Sequence, residues 1–184
     1  MKIGTQTWMA ANLNVNRFRN GDLIPEAKTI KEWDRAGNEE KPAWCYYNND
    51  SKNGVKYGKL YNWYAVNDSR GLAPDGWHVA TDAEWIILKD YLGGRDLAGK
   101  KLKSTSGWKE NGNGTNECAF FAYPGGYRPH NDPFGNIGKY GLWWSSTERI
   151  FDSAWGHQIY YGDSRLDRSD YLKIQGLSVR CIKD

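Results

Sequence analysis

The sequence predicts a single α+β domain that spans residues 1–184. Two helix-capping patterns lie in the first half of the chain, whereas short aromatic segments separated by glycines follow Cys118. Helices first and strands later is an order typical of α+β domains. A length of 184 residues is enough for one domain with its own hydrophobic core, and no low-complexity linker divides the chain.

The composition concentrates apolar mass in aromatic rings. Aromatic residues make up 15% of the chain, with ten Trp and twelve Tyr, whereas there are only five Phe and two Met. Indole and phenol rings combine an apolar body with a polar tip, so they suit buried cores and wet interfaces alike. Composition alone therefore leaves both roles open.

The charge pattern disfavours nucleic acid as a partner. The formal net charge is +3, and charges of both signs are interleaved along the chain. The densest basic stretch, residues 99–104, has three lysines, whereas nucleic-acid binding usually needs a concentrated basic face. The longest apolar stretch, residues 85–92, is broken by charge and is far shorter than the roughly 20 residues of a membrane span. We therefore expect neither a nucleic-acid partner nor a membrane span.

The N-terminus and the cysteines leave the cellular compartment open. Residues 1–15 contain no apolar region typical of a signal peptide, so the chain is either cytoplasmic or the mature part of a longer precursor. Cys45, Cys118 and Cys181 are an odd number, which allows one disulfide plus a free thiol, or three buried thiols. No CxxC pair occurs, so a zinc site is not predicted.

The first third of the chain predicts a strand followed by a capped helix. Residues 2–13 alternate loosely between polar and apolar side chains and predict an opening strand. Thr29 as N-cap, with Glu32 three residues later, forms a capping box, and Gly37 is expected to end the helix.

The segment that follows predicts short, aromatic elements. Residues 41–50 (KPAWCYYNND) predict a strand that closes in the polar turn NNDSKNG, residues 48–54. Apolar spacing over residues 60–67 predicts a short helix, and residues 96–104 predict one or two further helical turns.

The strongest helix prediction begins after Thr81. Thr81 is the expected N-cap, Glu84 completes a capping box, and Gly93 is expected to end the helix. Its predicted buried stripe consists of Trp85, Leu88 and Leu92.

The last third predicts strands after a loop rich in glycine and asparagine, residues 107–117. Strands are expected from the segments AFFAYPGGYR, GLWWSST, AWGHQIYY, SRLDRSDYLK and LSVRCIKD. Trp143 and Trp144 are neighbours on one such strand, so their side chains face opposite ways. The favoured interpretation is that the second indole forms a second packed layer. The alternative is that Trp144 lines a shallow groove.

Seven segments in one order resemble a known family. They are IGTQTWMAANLNV, YGKLYNWYAV, APDGWHVATDAEW, AGKKLKSTSGW, GTNECAFFAYPGGYR, IGKYGLWWSSTE and GLSVRCIKD. Together they resemble the Fibrobacter succinogenes major paralogous domain, a module of bacterial secreted and lipid-anchored surface proteins. The resemblance covers residues 3–184.

The resemblance implies a C-type-lectin-like fold, shared with formylglycine-generating enzymes. Such a fold has a mixed sheet, two main helices, paired termini and a long loop-rich region that carries ligands. Residues 3–13 are then expected to pair with the closing segment. Some relatives have a cysteine that bridges to the last strand. Ala73 stands in that area here, so Cys181 is expected to be a buried free thiol.

Metal and catalytic patterns are weak. The calcium-binding triplets of sugar-binding C-type lectins are absent, and the loop containing Asn111, Asn113, Thr115 and Glu117 has a single carboxylate, whereas calcium sites normally use several. The enzymes with this fold use two nearby cysteines, but only Cys181 lies near the C-terminus. No GxSxG, HExxH or phosphate-binding loop occurs. We therefore predict no metal, no cofactor and no catalytic residue.

We therefore expect a non-enzymatic binding or adhesion module for carbohydrate or a surface protein. The family resemblance alone implies a location outside the cytoplasm or on the outer-membrane surface. The contact region is expected within residues 108–140. The alternatives are an enzyme, favoured by two sulfurs in an open cleft, and a structural spacer, favoured by a surface without an aromatic-lined hollow. The predicted ligand-binding residues are Trp108, Asn111, Asn113, Tyr127, Arg128, His130 and Asp132.

Overall fold

The structure is a computed structural model that describes residues 1–131 and 134–184. Helices and short antiparallel sheets confirm the predicted α+β class. The helices are α1 (Ile30–Asn38), α2 (Ser51–Tyr57), α3 (Trp63–Val66), α4 (Asp82–Tyr91) and α5 (Arg95–Leu102), with a 3₁₀ turn at Tyr47–Asn49. The strands are β1 (Lys2–Ile3), β2 (Gln6–Thr7), β3 (Trp44–Cys45), β4 (Leu60–Tyr61), β5 (Trp77–Val79), β6 (Tyr140–Ile150), β7 (Ser153–Tyr160), β8 (Asp167–Leu172) and β9 (Cys181–Lys183).

The resemblance implied a mixed sheet, whereas the named strands pair in small antiparallel sheets. Within the described residues the strands form four small sheets, and every strand pair in them is antiparallel. Parallel contacts occur as isolated bridges, such as Trp143 with Ser178. The β6–β7–β8 sheet is the largest. No helix in the described part of the chain has the length and apolar character needed to cross a bilayer.

The chain ends pair as expected, although the opening segment is a hairpin and not one strand. β1 and β2 pair around a turn in which Gly4 has φ +59°, a conformation that favours glycine. The segment then bridges to the last strand, with Trp8 opposite Ile182. The amide of Met9 donates to the carbonyl of Cys181 over 2.9 Å. β9 pairs with β5 on its other side.

Both capping boxes are confirmed. The hydroxyl of Thr29 accepts from the amide of Glu32, and the Glu32 carboxylate accepts from the Thr29 amide. Thr81 and Glu84 repeat the arrangement at α4. The predicted stripe of α4 is buried. These helix starts were predictable because their signals lie within four consecutive residues.

Two local predictions were wrong because packing decided the outcome. The segment NNDSKNG folds as the 3₁₀ turn and the start of α2, with Asp50 as N-cap. Gly54 lies within this helix, and the position requires glycine because a Cβ there would lie 2.3 Å from the ring of Tyr46. Residues 60–61 form a strand, so α3 begins only at Trp63.

The segment AFFAYPGGYR does not form the predicted strand. Ala119 and Phe121 have φ values of +56° and +54°, which interrupt an extended run. Between residues 119 and 128 the structure forms isolated bridges, including one between Gly126 and Gly141.

The paired tryptophans of β6 fill two different cores. Trp143 and Trp144 are both fully buried, in separate hydrophobic clusters on opposite faces of the sheet. The indole N–H of Trp143 donates to Oδ1 of Asn12, and that of Trp144 donates to the Tyr61 carbonyl. The second packed layer is therefore confirmed, and Trp144 lines no groove.

Arg128 joins two distant loops from the interior. Its side chain is 2% exposed. Nη1 donates to the Ala27 carbonyl over 2.7 Å, and Nη2 donates to the Thr29 carbonyl over 2.9 Å. The guanidinium carbon lies 4.6 Å from the centre of the Trp33 ring. Arg128 therefore fixes the approach to α1.

A partly buried polar cluster, in which Arg168 is exposed and Asp82 and His157 are buried, connects α4 with β7 and β8. Both oxygens of Asp82 accept from Arg168, and Oδ1 also lies 3.1 Å from Nε2 of His157. Burial would raise the pKa of the Asp82 carboxyl, but the hydrogen bonds from His157 and Arg168 outweigh it and hold this pKa at about 2. A carboxylate only accepts, so Nε2 of His157 carries the hydrogen and Nδ1 remains without a partner in the described structure. Burial accordingly lowers the pKa of His157.

We expect Arg128→Met to lower the free energy of unfolding by about 3 kcal/mol, because buried carbonyls lose their donors. Arg149→Met is the matched control, since Arg149 lies at the surface beside Asp170, and should cost less than about 1 kcal/mol. Urea denaturation measures both. Equal losses would show that Arg128 does not hold the loops.

We expect Asp82→Asn to cost about 2 kcal/mol at pH 7. The lowered pKa means that the wild-type contribution is complete above pH 4 and is lost as the pH falls through about 2. Urea midpoints at pH 7, 4 and 2.5 should therefore converge between the variant and the wild type at low pH. Asp90→Asn, on the exposed surface of α4, is the control. A constant difference across the pH range would contradict the assignment.

Candidate functional site

A hollow of about 220 Å³ opens on one face of the β6–β7–β8 sheet. We call it the tyrosine cleft. Its lining residues, within the described part of the chain, carry no formal charge. They are Tyr127, Asn136, Tyr140, Leu142, Gln158, Tyr171 and Gln175.

The pleat of the sheet places these side chains together. Leu142 and Trp144 share one face of β6 with Tyr140, because alternate residues of a strand face the same way. Gln158 lies opposite Leu142 in the strand register, and Tyr171 lies opposite Ala154. The face that packs the core near Trp144 therefore continues into the cleft.

Internal hydrogen bonds orient the amides of the cleft. The Tyr171 hydroxyl donates to Oε1 of Gln158 over 2.8 Å, and the Leu172 amide donates to Oε1 of Gln175 over 3.1 Å. Nε2 of each glutamine has no intramolecular acceptor among the described residues and remains as a donor to a ligand. Burial raises the pKa of Tyr140 and Tyr171, so both phenols are protonated at neutral pH.

A strip of three tyrosine rings leads out of the cleft. The ring of Tyr160 lies 4.7 Å from that of Tyr140 and 4.5 Å from that of Tyr161, measured between centroids. Tyr161 lines a second hollow of about 370 Å³, which we call the asparagine hollow. This hollow is lined by Lys100, Lys103, Glu110, Asn111, Gly112, Asn113, Tyr161, Gly162, Asp163 and Ser164.

Lys103 fixes the wall of the asparagine hollow. Its ammonium donates to the carbonyls of Tyr161 and Asp163 over 3.0 and 2.6 Å, and lies 4.9 Å from the Trp108 ring. Burial lowers the pKa of Lys103 to about 8. The hydroxyl of Tyr161 donates to Oε2 of Glu110. The contacts between the Tyr140, Tyr160 and Tyr161 rings thus connect a lining residue of the tyrosine cleft with one of the asparagine hollow.

Three of the predicted residues line the two hollows. Tyr127 lines the tyrosine cleft, and Asn111 and Asn113 line the asparagine hollow. Both asparagines are exposed. Oδ1 of Asn113 accepts from the Trp108 amide over 3.1 Å, which orients its amide.

The other predicted residues are placed elsewhere. Trp108 is 5% exposed, and its indole N–H donates to the Ala122 carbonyl inside a core cluster. Arg128 is buried under α1, as described above. Neither presents a surface to a ligand, because distant segments cover both. His130 is half-buried, with Nδ1 3.5 Å from Oδ1 of Asp34, and lines neither hollow. Asp132 lies outside the described residues.

The sequence interpretation did not predict most of the residues that form the tyrosine cleft and the ring strip. The missed residues are Tyr140, Gln158, Tyr160, Tyr161 and Tyr171. Tyr140 and Tyr160 are cross-strand partners in the register. The signal available in the sequence was the pair of tyrosines that ends AWGHQIYY, but only the strand register brings them beside Tyr140.

The loop considered for calcium uses its side chains internally. Oγ1 of Thr115 donates to Oε1 of Glu117, and Oδ1 of Asn116 accepts from the Phe121 amide. Among the described residues, no group of three or more His, Cys, Asp or Glu side chains could hold a metal ion.

The three cysteines lie in different places. Cys45 and Cys181 are buried in separate clusters, and Cys118 packs against a third. Burial raises the pKa of Cys45 to about 11 and that of Cys181 to about 12, so both are protonated thiols at neutral pH. Cys181 is thus the buried free thiol expected from the resemblance.

Comparison of the sequence with models of known protein families identifies the family of this chain. The model of the Fibrobacter succinogenes major domain matches residues 1–183. No curated protein and no solved structure matches the chain. The match covers almost the entire sequence and agrees with the seven segments that suggested this family. The chain belongs to the Fibrobacter succinogenes major domain family.

Proposed function

We propose that this protein is a non-enzymatic binding module that holds a neutral carbohydrate in the tyrosine cleft. The observation that carries this proposal is the combination of phenol rings with oriented amide donors in one uncharged hollow. Flat rings cover the C–H surface of a sugar, and amides bind its hydroxyls. A concave site with an apolar lining and a few oriented polar groups is the usual form of a small-ligand site.

The ring strip supports an extended ligand. A hollow of about 220 Å³ is smaller than the roughly 300–1,000 Å³ of typical ligand pockets, so it suits a single sugar unit. Tyr160 and Tyr161 continue the contact surface toward Asn111 and Asn113. An oligosaccharide would therefore begin in the tyrosine cleft and extend to the asparagine hollow.

The aromatic-lined hollow favours a binding module over a structural spacer. A surface-protein partner is the second candidate, because tyrosine is enriched at protein interfaces. The oriented amides of the cleft favour a sugar. The enzyme alternative gains no support from the cysteines, which lie in separate clusters. A C-type-lectin-like fold and a location at the bacterial surface belong to this proposal through the family resemblance.

Purified protein should bind neutral oligosaccharides on a glycan array, equally with calcium and with chelator. For the best ligand, Tyr140→Ala and Tyr127→Ala should each weaken binding about tenfold by calorimetry, which corresponds to the loss of one ring contact of about 1.4 kcal/mol. Tyr91→Ala is the matched control, since Tyr91 is 65% exposed on α4 and lines neither hollow.

Two results would overturn the carbohydrate proposal. The first is the absence of any glycan ligand on the array. The second is a glycan whose affinity responds to Tyr91→Ala as strongly as to Tyr140→Ala. The Arg128→Lys variant, if it folds, should bind the glycan with the affinity of the wild type, because Arg128 does not face the cleft.

A further inference from the structure

A different cavity, of about 450 Å³, has a buried arginine in its wall. We call it the Arg180 cavity. It shares no lining residue with the tyrosine cleft or the asparagine hollow. It is lined by Ala10, Ala11, Asn12, Val55, Lys56, Phe121, Tyr123 and Arg180.

The acceptors that hold Arg180 among the described residues are all neutral. Its side chain is 1% exposed. Nε donates to Oδ1 of Asn12 over 3.1 Å, and Nη1 donates to the carbonyls of Met9 and Phe120, both over 2.8 Å. The guanidinium carbon lies 4.2 Å from the centre of the Phe120 ring. These contacts fix the plane of the guanidinium.

One nitrogen of this guanidinium remains available. In the described part of the chain, Nη2 has no hydrogen-bond acceptor, and no carboxylate lies within 4.0 Å of Arg180. Arg128, by contrast, uses both terminal nitrogens on carbonyls, and the buried Lys173 pairs with Glu148. A buried cation without a counter-ion is costly, and burial lowers the pKa of Arg180 to about 9. Arg180 is therefore a buried cation that has one free donor nitrogen and no counter-ion among the described residues.

The rest of the cavity adds a second cation and apolar walls. Lys56 is an exposed residue of α2, and its ammonium lies 5.0 Å from the Tyr123 ring. The Phe121 and Tyr123 rings are stacked at 22° with centroids 6.4 Å apart. The lining of the cavity therefore combines two cations, Arg180 and Lys56, with the aromatic rings of Phe121 and Tyr123.

We propose that the Arg180 cavity binds a carboxylate carried by a ring. The carboxylate would accept from Nη2 of Arg180 and from the Lys56 ammonium, while the ring lies against Tyr123. One free guanidinium nitrogen and one ammonium can supply one charge-assisted hydrogen bond to each oxygen of a carboxylate. A phosphate offers more oxygens than these two groups can satisfy. The ring is that of an aromatic acid or of a uronic acid, which share this chemistry.

The test compares matched charged and neutral probes on the wild-type protein. Benzoate and benzamide form one arm, glucuronate and glucose form the other, and inorganic phosphate is the control anion. Calorimetry and ¹⁵N spectra of the arginine side chains report binding and its place. At least one carboxylate should bind at least tenfold more tightly than its neutral counterpart and shift the Arg180 resonances. The arm that responds identifies the ring.

Matched lysine variants test the site without disturbing the core. Lys56→Gln should weaken carboxylate binding about fivefold or more, whereas Lys52→Gln, one turn earlier on α2 and outside the cavity, should leave it unchanged. Arg180→Met, if it folds, should abolish binding. The proposal is wrong if both neutral probes bind as tightly as their acids, if phosphate binds equally well, or if the two lysine variants behave alike. Glycan binding at the tyrosine cleft is independent of all these outcomes.

Discussion

Buried cations that donate to backbone carbonyls hold this fold together. Many segments of the chain lie outside helices and sheets, so their carbonyls need other donors. Arg128 supplies them to the segment before α1, about 100 residues earlier in the sequence. Lys103 does so for residues 161 and 163, and Lys59 for Asn14, while each ammonium lies over an indole ring. The buried cations therefore combine two interactions, because they donate to backbone carbonyls and also contact the aromatic rings in which this chain is rich.

The β6–β7–β8 sheet is packed at its centre and forms the tyrosine cleft at one end. Neighbouring tryptophans on β6 face opposite cores, so the sheet is packed on both faces at its centre. Towards Tyr140 and Tyr160 the same alternation continues after the core ends. Tyr140 lies on the same face of β6 as the core residues Leu142 and Trp144, but beyond the end of the core, where it forms a wall of the tyrosine cleft. The rigidity of that wall comes from the packed centre of the sheet.

Local signals were readable from the sequence, and long-range coverage was not. The capping boxes at Thr29 and Thr81 depend on four consecutive residues, and both helices begin where predicted. Arg128 and Trp108 had the side chains of a contact surface, but their partners lie elsewhere in the chain and bury them. The tyrosine cleft likewise required the strand register. The sequence therefore predicts the scaffold class and its starting points better than the exposed surface.

Asn12 occupies an unusual junction between the cores and the Arg180 cavity. Its Oδ1 accepts from both Trp143 and Arg180, and its Nδ2 donates to the Tyr57 carbonyl. Exchanging this amide for a carboxylate would provide the guanidinium with a partner inside the chain, at the loss of the bond to Tyr57. The identity of one side chain, Asn12, thus decides whether Arg180 has a neutral or an anionic partner within the chain.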